Sequence, residues 1–327
     1  MTDYRYKLSI IIPLYNAEKY IAACLNSILN SDLPYDAYEI VVVDDGSKDG
    51  GSEVVRNYQS MHDNITLLAQ KNQGQSVARN YGIQQCQGEY VWCVDADDML
   101  DTSVLLDVLD AIAQNPVDII AWRLKQVKED GTFVRLECTQ PKVPHNKIIA
   151  GRDAIVSGYN PSSVCALSIR KKLLVDNNCF FKVGITHQDV ELTYRLFCCA
   201  KTVLFLTLVP YIYILHSNST SQSKSFEKRL KYLKDEITVI LSFRHVAKKN
   251  QKDIQLSKTI FNRSQNNLLG LVMSIYEHRK EWAANGVKKE LISALRQENL
   301  FPMKGPFDSF KKTSVAKLLN IWFSFCR

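Results

Sequence analysis

Strand-like and helix-like patterns alternate over the N-terminal third of the chain, and this alternation constrains the fold more than any other feature. The strand-like runs are short, apolar and rich in β-branched residues. They are Leu8–Ile12, Ile40–Val43, Ile65–Leu68 and Tyr90–Val94. A helical spacing of apolar residues follows the first run, with Asn16 as its expected N-cap. Alternation with short connections predicts a doubly wound, mostly parallel α/β sheet with flanking helices.

Polar, glycine-bearing turns follow these strands. The turn Asp44–Gly51 comes after the second strand and Asn72–Gln75 after the third. Glycine lets a ligand approach the backbone, and the free N–H groups of the next helix can face phosphate. The sequence has neither G-x-G-x-x-G after the first strand nor G-x-x-x-x-G-K-[ST] anywhere. Dehydrogenase-type dinucleotide folds and phosphate-loop ATPases are therefore not supported.

The fourth strand-like run ends in three carboxylates, Asp95, Asp97 and Asp98. Ligands of open α/β sheets bind beyond the carboxyl ends of the strands. Two like charges about 4 Å apart repel by roughly 4 kcal/mol near a protein surface, so a divalent cation would explain the cluster. The alternative is a solvated turn in which Asp98 or Asp101 caps a helix near Thr102. The residues alone leave both interpretations open.

Charge is distributed unevenly along the 327 residues. Residues 1–223 hold 20 Lys and Arg against 25 Asp and Glu, whereas residues 224–327 hold 21 against 9. The net charges are therefore −5 and +12. Such asymmetry suggests a basic appendage on an acidic body. Apolar residues recur at helical spacing after Phe226, which predicts a mostly helical C-terminal region.

The cysteines and apolar runs bear on the compartment. Nine cysteines without a Cys-x-x-Cys spacing indicate reduced thiols, and no signal peptide is visible. The run Val203–Leu215 contains Pro210 and is too short to span a bilayer, so it predicts one or two strands. The dipeptide Asp130-Gly131 predicts a hairpin. A cytoplasmic protein is expected.

Five ordered motifs resemble the family 2 inverting glycosyltransferases, which have the GT-A fold. They are Ser9–Asn16, Val43–Ser47, Asn72–Gly74 with Ala78–Asn80, Asp95–Asp98, and Gln188-Asp189. The resemblance covers about residues 7–221. Each motif is weak by itself, and the specificity comes from their order and spacing.

The resemblance implies a role for each matching residue. Tyr15 and Asp45 would hold the nucleobase, usually uracil, with Pro13 forming a wall of the pocket. Arg79 would either pair with Asp45 or face the diphosphate. The remaining implied roles are ribose or sugar contact for Asp95, direct Mn²⁺ or Mg²⁺ ligation for Asp97, assistance by Asp98, and general base for Asp189.

Asp189 has a simpler interpretation from the residues alone, because it opens an apolar helix and can serve as its N-cap. Two departures from the family pattern also stand out. Gln188 replaces the usual Glu, which removes a negative charge that would raise the pKa of the base. Ile214 stands where an Arg is often found, so His216 and the run Ser217–Ser221 are candidates for diphosphate contact.

The resemblance implies a catalytic domain over residues 1–223, with a nucleotide-sugar half at about 1–100 and an acceptor half at about 101–223. The expected activity is inverting transfer from a UDP-sugar to a saccharide or lipid-linked acceptor, in assembly of a bacterial capsule, O-antigen or exopolysaccharide. A catalytically inactive nucleotide-sugar-binding protein and a nucleotidyltransferase are the alternatives.

The basic region 224–327 has two interpretations. Its helices pack on one another or on the catalytic domain, or they dock on the inner face of the cell membrane. Lys311, Lys312, Lys317 and the segment 318–325 combine basic and aromatic residues as anionic-lipid binders do. No nucleic-acid module accompanies the positive charge, and no nucleic-acid partner is expected.

Overall fold

The computed structural model describes residues 4–216 and 225–324. By compactness the chain divides into two units. Unit 1 comprises Met1–Gly184 and Gln188–Gln222, and unit 2 comprises Ile185–His187 and Ser223–Arg327.

Unit 1 is a mixed α/β structure. Its strands are β1 Tyr6–Leu14, β2 Tyr38–Asp44, β3 Ile65–Ala69, β4 Gly88–Cys93, β5 Met99–Leu100, β6 Ile119–Ala121, β7 Leu124–Lys128, β8 Phe133–Glu137, β9 Ile148–Ile149, β10 Leu167–Arg170, β11 Val203–Phe205 and β12 Tyr211–Leu215. Its helices are α1 Glu18–Leu29, α2 Gly51–Met61, α3 Gln75–Gln85, α4 Leu105–Gln114, α5 Gly151–Val156, α6 Lys171–Asp176 and α7 Gln188–Cys199.

The central sheet has eight strands in the order β3-β2-β1-β4-β10-β6-β11-β9. The first four run parallel, and β10 enters antiparallel between β4 and β6. The predicted mostly parallel α/β sheet is thus confirmed. Every residue of β2 is buried, which explains why its central run Ile40–Val43 is continuously apolar rather than alternating.

Helix α3 packs closely on the sheet because Gly82 has no side chain. A Cβ at Gly82 would lie 2.6 Å from Cγ2 of Ile11 in β1. The predicted Asn16 cap is wrong, since Ala17 occupies the N-cap of α1 and the Glu18 backbone N–H donates to Asp49 Oδ2 at 2.9 Å. Asn16 instead has a φ of 50°, and its Oδ1 accepts a hydrogen bond from the Lys48 backbone N–H at 2.8 Å.

A smaller sheet in unit 1 has the order β5-β12-β7-β8. Its β7–β8 hairpin turns at Asp130-Gly131, as predicted. Strands β11 and β12 lie on either side of Pro210, also as predicted. Because β12 pairs with β5, residues 211–216 lie beside the segment Asp97–Asp98 that precedes β5.

Unit 2 is helical over its described residues. It contains α8 Phe226–Lys249, α9 Ile254–Glu277, α10 Arg279–Ala284, α11 Lys288–Gln297 and α12 Phe310–Ser324, which confirms the predicted C-terminal helical region. These helices share an apolar core that includes Ile240, Val272, Trp282, Leu295 and Phe323. Within 4–216 and 225–324, no helix has the length and apolar content needed to cross a bilayer.

Candidate active site

The carboxyl ends of the parallel strands in unit 1 bring the N-terminal motifs together. Leu14 at the end of β1 is in register with Asp44 at the end of β2, and β4 lies on the other side of β1. The segments that follow these strands carry Tyr15, Asp45 and Asp95. A cleft at this edge is where an open α/β sheet binds its ligand.

Asp45 anchors the loop that leads into α3. Its Oδ1 accepts hydrogen bonds from the Gln73 backbone N–H at 2.8 Å and Gln70 Nε2 at 2.7 Å, and its Oδ2 accepts from the Gly74 N–H at 2.8 Å. Gly74 has a φ of +91°, which a residue with a side chain adopts at a cost. A carboxylate offers about four lone-pair positions, so these three hydrogen bonds leave one on Oδ2 unused, in a residue that is 2% exposed.

Tyr15 is 48% exposed, so one side of its ring is accessible for stacking. Pro13 lies within β1 and is partly buried. The predicted Arg79–Asp45 pair is absent, because the carboxylate of Asp45 is bonded to the loop residues described above. Arg79 instead contacts Asp95 and Asp189.

The guanidinium of Arg79 joins two of the predicted site carboxylates. Arg79 lies in α3 and is 1% exposed. Its Nη2 donates to Asp95 Oδ1 at 2.5 Å and its Nη1 to Asp189 Oδ1 at 3.2 Å. Burial disfavours the charged form, but the two carboxylates outweigh burial and hold the pKa of Arg79 well above its ordinary value.

Asp189 lies in the first turn of α7, whose N-terminal residues face α3. Burial raises the pKa of Asp189, and the opposing effect of Arg79 is smaller. The neighbouring Gln188 is buried, and its Oε1 accepts a hydrogen bond from the Ser76 hydroxyl of α3. This bond needs only an acceptor oxygen, so Gln188 makes it as Glu would, although Gln188 lacks the negative charge of Glu.

Asp98 is held inside the protein. It is 2% exposed, and its carboxylate accepts hydrogen bonds from the Tyr211 hydroxyl at 2.6 Å and the Ile214 N–H at 2.8 Å. Burial, together with the negative charge of Asp95, raises its pKa well above the ordinary range. Asp98 therefore links the acidic segment to β12. Each of its two carboxylate oxygens already accepts one hydrogen bond, which leaves fewer lone pairs for a cation.

Asp97 is the exposed carboxylate of the cluster. No other residue within 4–216 and 225–324 is seen to donate to its side chain. Partial desolvation, together with the charge of Asp95, raises its pKa. Its carboxylate is the best placed of the three for a cation that approaches from the cleft.

His216 lies beside this cluster. Its Nε2 is 3.0 Å from the Asp97 carbonyl oxygen and its Nδ1 is 2.7 Å from Glu129 Oε1. Burial lowers the pKa of His216, but these two acceptors together raise it above its ordinary value. The run Ser217–Ser221, the other candidate for diphosphate contact, lies outside the described residues.

The donor set fits a cation that is shared with a ligand. Across the described parts of the chain, no group of three or more His, Cys, Asp or Glu side chains is arranged to hold a metal ion. Mg²⁺ in nucleotide sites is commonly bound by one or two carboxylates, with water and phosphate oxygens completing the octahedron. Asp97 fits that arrangement.

Sequence reasoning missed Tyr211 and Ser76. The Tyr211 hydroxyl donates to Asp98 and accepts from the Asp95 N–H at 3.2 Å, so it ties β12 to the acidic segment. Ser76 ties α3 to α7. Neither contact has a signal in local sequence pattern, because each joins residues more than a hundred positions apart.

The strand ends thus carry an acidic segment, and Arg79 joins that segment to an Asp at the start of α7. The model of glycosyl transferase family 2 matches residues 9–170. The uncharacterized glycosyltransferase YibD of Escherichia coli strain K12 is 30% identical over 243 residues, which cover 71% of this chain and 69% of YibD. The chain belongs to glycosyl transferase family 2.

Poly(ribitol-phosphate) β-N-acetylglucosaminyltransferase TarS of Staphylococcus aureus strain MW2 is a further relative. It is 28% identical over 222 residues, which cover 67% of this chain. That alignment spans 37% of TarS, well under half of the relative's length.

Two solved structures show the fold. S. aureus TarS 1-349 in complex with UDP-GlcNAc superposes with a TM-score of 0.62 at 20% identity, over 98% of this chain and 92% of that one. The mannosyltransferase PcManGT of Pyrobaculum calidifontis, in complex with GDP-Man and Mn²⁺, superposes with a TM-score of 0.55 at 17% identity. The match covers 98% of this chain and 88% of that one. The fold is GT-A.

Proposed function

We propose that the chain transfers a sugar from a UDP-sugar to an acceptor hydroxyl with inversion at the anomeric carbon. The observation that carries the proposal is the Arg79 bridge, which joins Asp95 beside the strand ends to Asp189 at the start of α7. One carboxylate is thereby held on the donor side of the cleft and one on the acceptor side. Membership of glycosyl transferase family 2 supports this assignment.

The donor nucleotide would lie at the ends of β1 and β2. The exposed ring of Tyr15 stacks on the base beside Pro13, and the free lone pair of Asp45 Oδ2 accepts a base N–H. Uracil is proposed because it offers that N–H and because the structurally similar TarS 1-349 was solved with UDP-GlcNAc. Asp95 would contact the ribose or the sugar.

Asp97 would ligate Mn²⁺ or Mg²⁺ together with the diphosphate. Asp98 would hold the acidic segment in place through its hydrogen bonds to Tyr211 and Ile214. When bound, the cation neutralises the negative charge that develops on the departing diphosphate. His216 is close enough to Asp97 to contribute a positive charge on the same side. Asp45 and Arg79 keep their positions through contacts within the protein.

Asp189 would act as the general base. Its carboxylate accepts the proton of the acceptor hydroxyl while the hydroxyl oxygen attacks the anomeric carbon and the bond to the diphosphate breaks. Arg79 holds the carboxylate through Oδ1, and a hydrogen bond from the Val164 backbone N–H supports it further. Attack from the face opposite the leaving group converts an α-linked donor to a β-linked product.

We assign this catalysis to residues 1–223, with the nucleotide-sugar site in about 1–100 and the acceptor site in about 101–223. The acceptor is proposed to belong to a bacterial surface polymer. Relatives support that class, since TarS and the Bacillus spizizenii relative are both named as glycosyltransferases of poly(ribitol-phosphate).

The inactive-protein alternative has no structural support at Gln188, because the side chain keeps its bond to Ser76 and leaves Asp189 in the cleft. The nucleotidyltransferase alternative lacks support from the family assignment.

The test is a mass-spectrometric screen of UDP-, GDP- and dTDP-sugars for hydrolysis or transfer with Mn²⁺. We expect a UDP-sugar to be turned over only when metal is present. Pyrophosphate release from a nucleoside triphosphate would instead establish a nucleotidyltransferase. Tight UDP binding without turnover on any acceptor or water would establish an inactive binding protein.

A further inference from the structure

One side of α12 in unit 2 exposes large apolar side chains. Phe310 is 89% exposed, Leu318 67% and Ile321 58%. At 3.6 residues per turn these three positions lie within an arc of roughly 100° on the helix surface. The opposite side of α12 is packed, because Leu319 and Phe323 belong to the core of unit 2. The outer side therefore has no role in that core.

Positive charges accompany this apolar side. Lys311 and Lys317 are exposed on α12, and the helix Phe310–Ser324 contains no acidic residue. The nearby Asp308 is paired with Lys312 at 2.8 Å. The side chains that face solvent here thus combine apolar and cationic groups.

A pocket of about 460 Å³ lies beside α11 in the same unit. Its wall is mainly apolar, and three cationic side chains belong to its lining. The apolar part comes from Ala283, Gly286 and Ile292, and the cations are Lys288, Lys289 and Arg296.

The pocket adjoins the C-terminal turns of α12. Lys288 Nζ lies 4.4 Å from the centroid of the Trp322 ring, and Arg296 Nη2 lies 3.5 Å from the Phe323 carbonyl oxygen. The acidic residue of α11, Glu290, is paired with Lys234 at 2.6 Å. We term the pocket lining and the exposed side of α12 together the α11–α12 surface.

We propose that the α11–α12 surface binds an anionic lipid bilayer, with a lipid phosphate at the pocket cations and the apolar side chains of α12 inserted among the headgroups. Charge complementarity identifies the partner, since Lys288, Lys289, Arg296, Lys311 and Lys317 all attract anionic headgroups. A soluble polyanion would be attracted by the same cations but would leave the exposed apolar side chains without a partner.

The experiment is sedimentation of the full chain with vesicles of equal parts phosphatidylglycerol and phosphatidylcholine, and with vesicles of phosphatidylcholine alone. We expect binding to the anionic vesicles only, and weaker binding at high salt because salt screens exposed charges. Lys288→Gln with Lys289→Gln should lower the partition coefficient by about fivefold per lysine. Leu318→Ser with Ile321→Ser should lower it by roughly tenfold or more.

The matched control is Lys248→Gln with Lys249→Gln. These lysines are exposed at the end of α8, so the same charge is removed away from the surface, and vesicle binding should be retained. Circular dichroism checks that each variant is folded. The readout needs no sugar transfer, so its result is separate from that of the proposed function.

Three outcomes would overturn the proposal. The first is absence of binding to anionic vesicles. The second is equal loss of binding in the control variant, which would indicate unspecific attraction by net charge. The third is binding of soluble polyphosphate that depends on Lys288 and Lys289 but not on Leu318 and Ile321, which would assign the surface to a polyanion.

Discussion

Arg79 contacts Asp189 at 3.2 Å across 110 positions of sequence, and the contact connects the two halves of the proposed reaction. Since the same guanidinium holds Asp95, the position of the proposed base depends on the segment that carries Asp95. A buried arginine between two partly exposed carboxylates is a rigid spacer, because moving either partner would leave a buried charge without compensation.

Asp189→Asn tests the base directly. Asparagine keeps the size of the side chain, and its amide oxygen can still accept a hydrogen bond from Arg79. It cannot take the proton from the hydroxyl of the acceptor substrate. We expect kcat to fall by roughly 10²- to 10⁴-fold, as measured by release of UDP from the donor in the presence of acceptor.

UDP affinity, measured by calorimetry, should be unchanged in the same variant, because Asp189 is proposed to lie on the acceptor side. A variant that keeps full transferase activity would show that another group accepts the proton. Reduced UDP affinity would show instead that Asp189 belongs to the donor site.

Arg79→Met should destabilise unit 1. Methionine fills much of the volume but leaves Asp95 and Asp189 without their shared cation, which costs about 3 kcal/mol. Chemical denaturation measures the free energy of unfolding. Arg56→Met is the matched control, because its partner Glu53 is exposed and such surface pairs contribute about 0–1 kcal/mol. Equal effects at the two positions would contradict the bridging role of Arg79.

The pH profile should report the raised pKa of Asp189. The base acts only when ionised, so kcat/KM should fall as the pH drops through a value above the ordinary aspartate pKa of about 4. Asp95→Asn removes a negative charge that raises this pKa, so the acid limb should move to lower pH. If the acid limb of the kcat/KM profile lies at the same pH in Asp95→Asn as in the unsubstituted chain, the titrating group is not Asp189.

The parallel strands were predictable because burial on both faces leaves a continuous apolar run. The location of the motifs was predictable because polar loops follow the carboxyl ends of such strands. The antiparallel insertion of β10 was not predictable. Leu167–Arg170 has the same local pattern in either direction, and its neighbours are chosen by tertiary packing.

Candidate site residues could be proposed from the sequence, but their partners could not be predicted. Of the two expectations for Arg79, pairing with Asp45 is wrong, because Arg79 pairs with Asp95 and Asp189; a position facing the diphosphate stays a prediction. An arginine carries no sequence signal for which carboxylate it will meet. The same holds for Asp98, whose bonds to Tyr211 and Ile214 depend on the pairing of β12 with β5.

The last prediction separates the two adjacent aspartates Asp97 and Asp98. Asp97→Ala should leave the free energy of unfolding nearly unchanged, because the residue is exposed and no other residue within 4–216 and 225–324 donates a hydrogen bond to its carboxylate. It should weaken the apparent affinity for Mn²⁺ in turnover by roughly tenfold or more. Asp98→Ala should lower the free energy of unfolding by about 3 kcal/mol, since the buried Tyr211 hydroxyl and Ile214 N–H lose their acceptor. If Asp98→Ala is as stable as the unsubstituted chain but loses the metal dependence, Asp98 is the direct ligand and its hydrogen bonds are secondary.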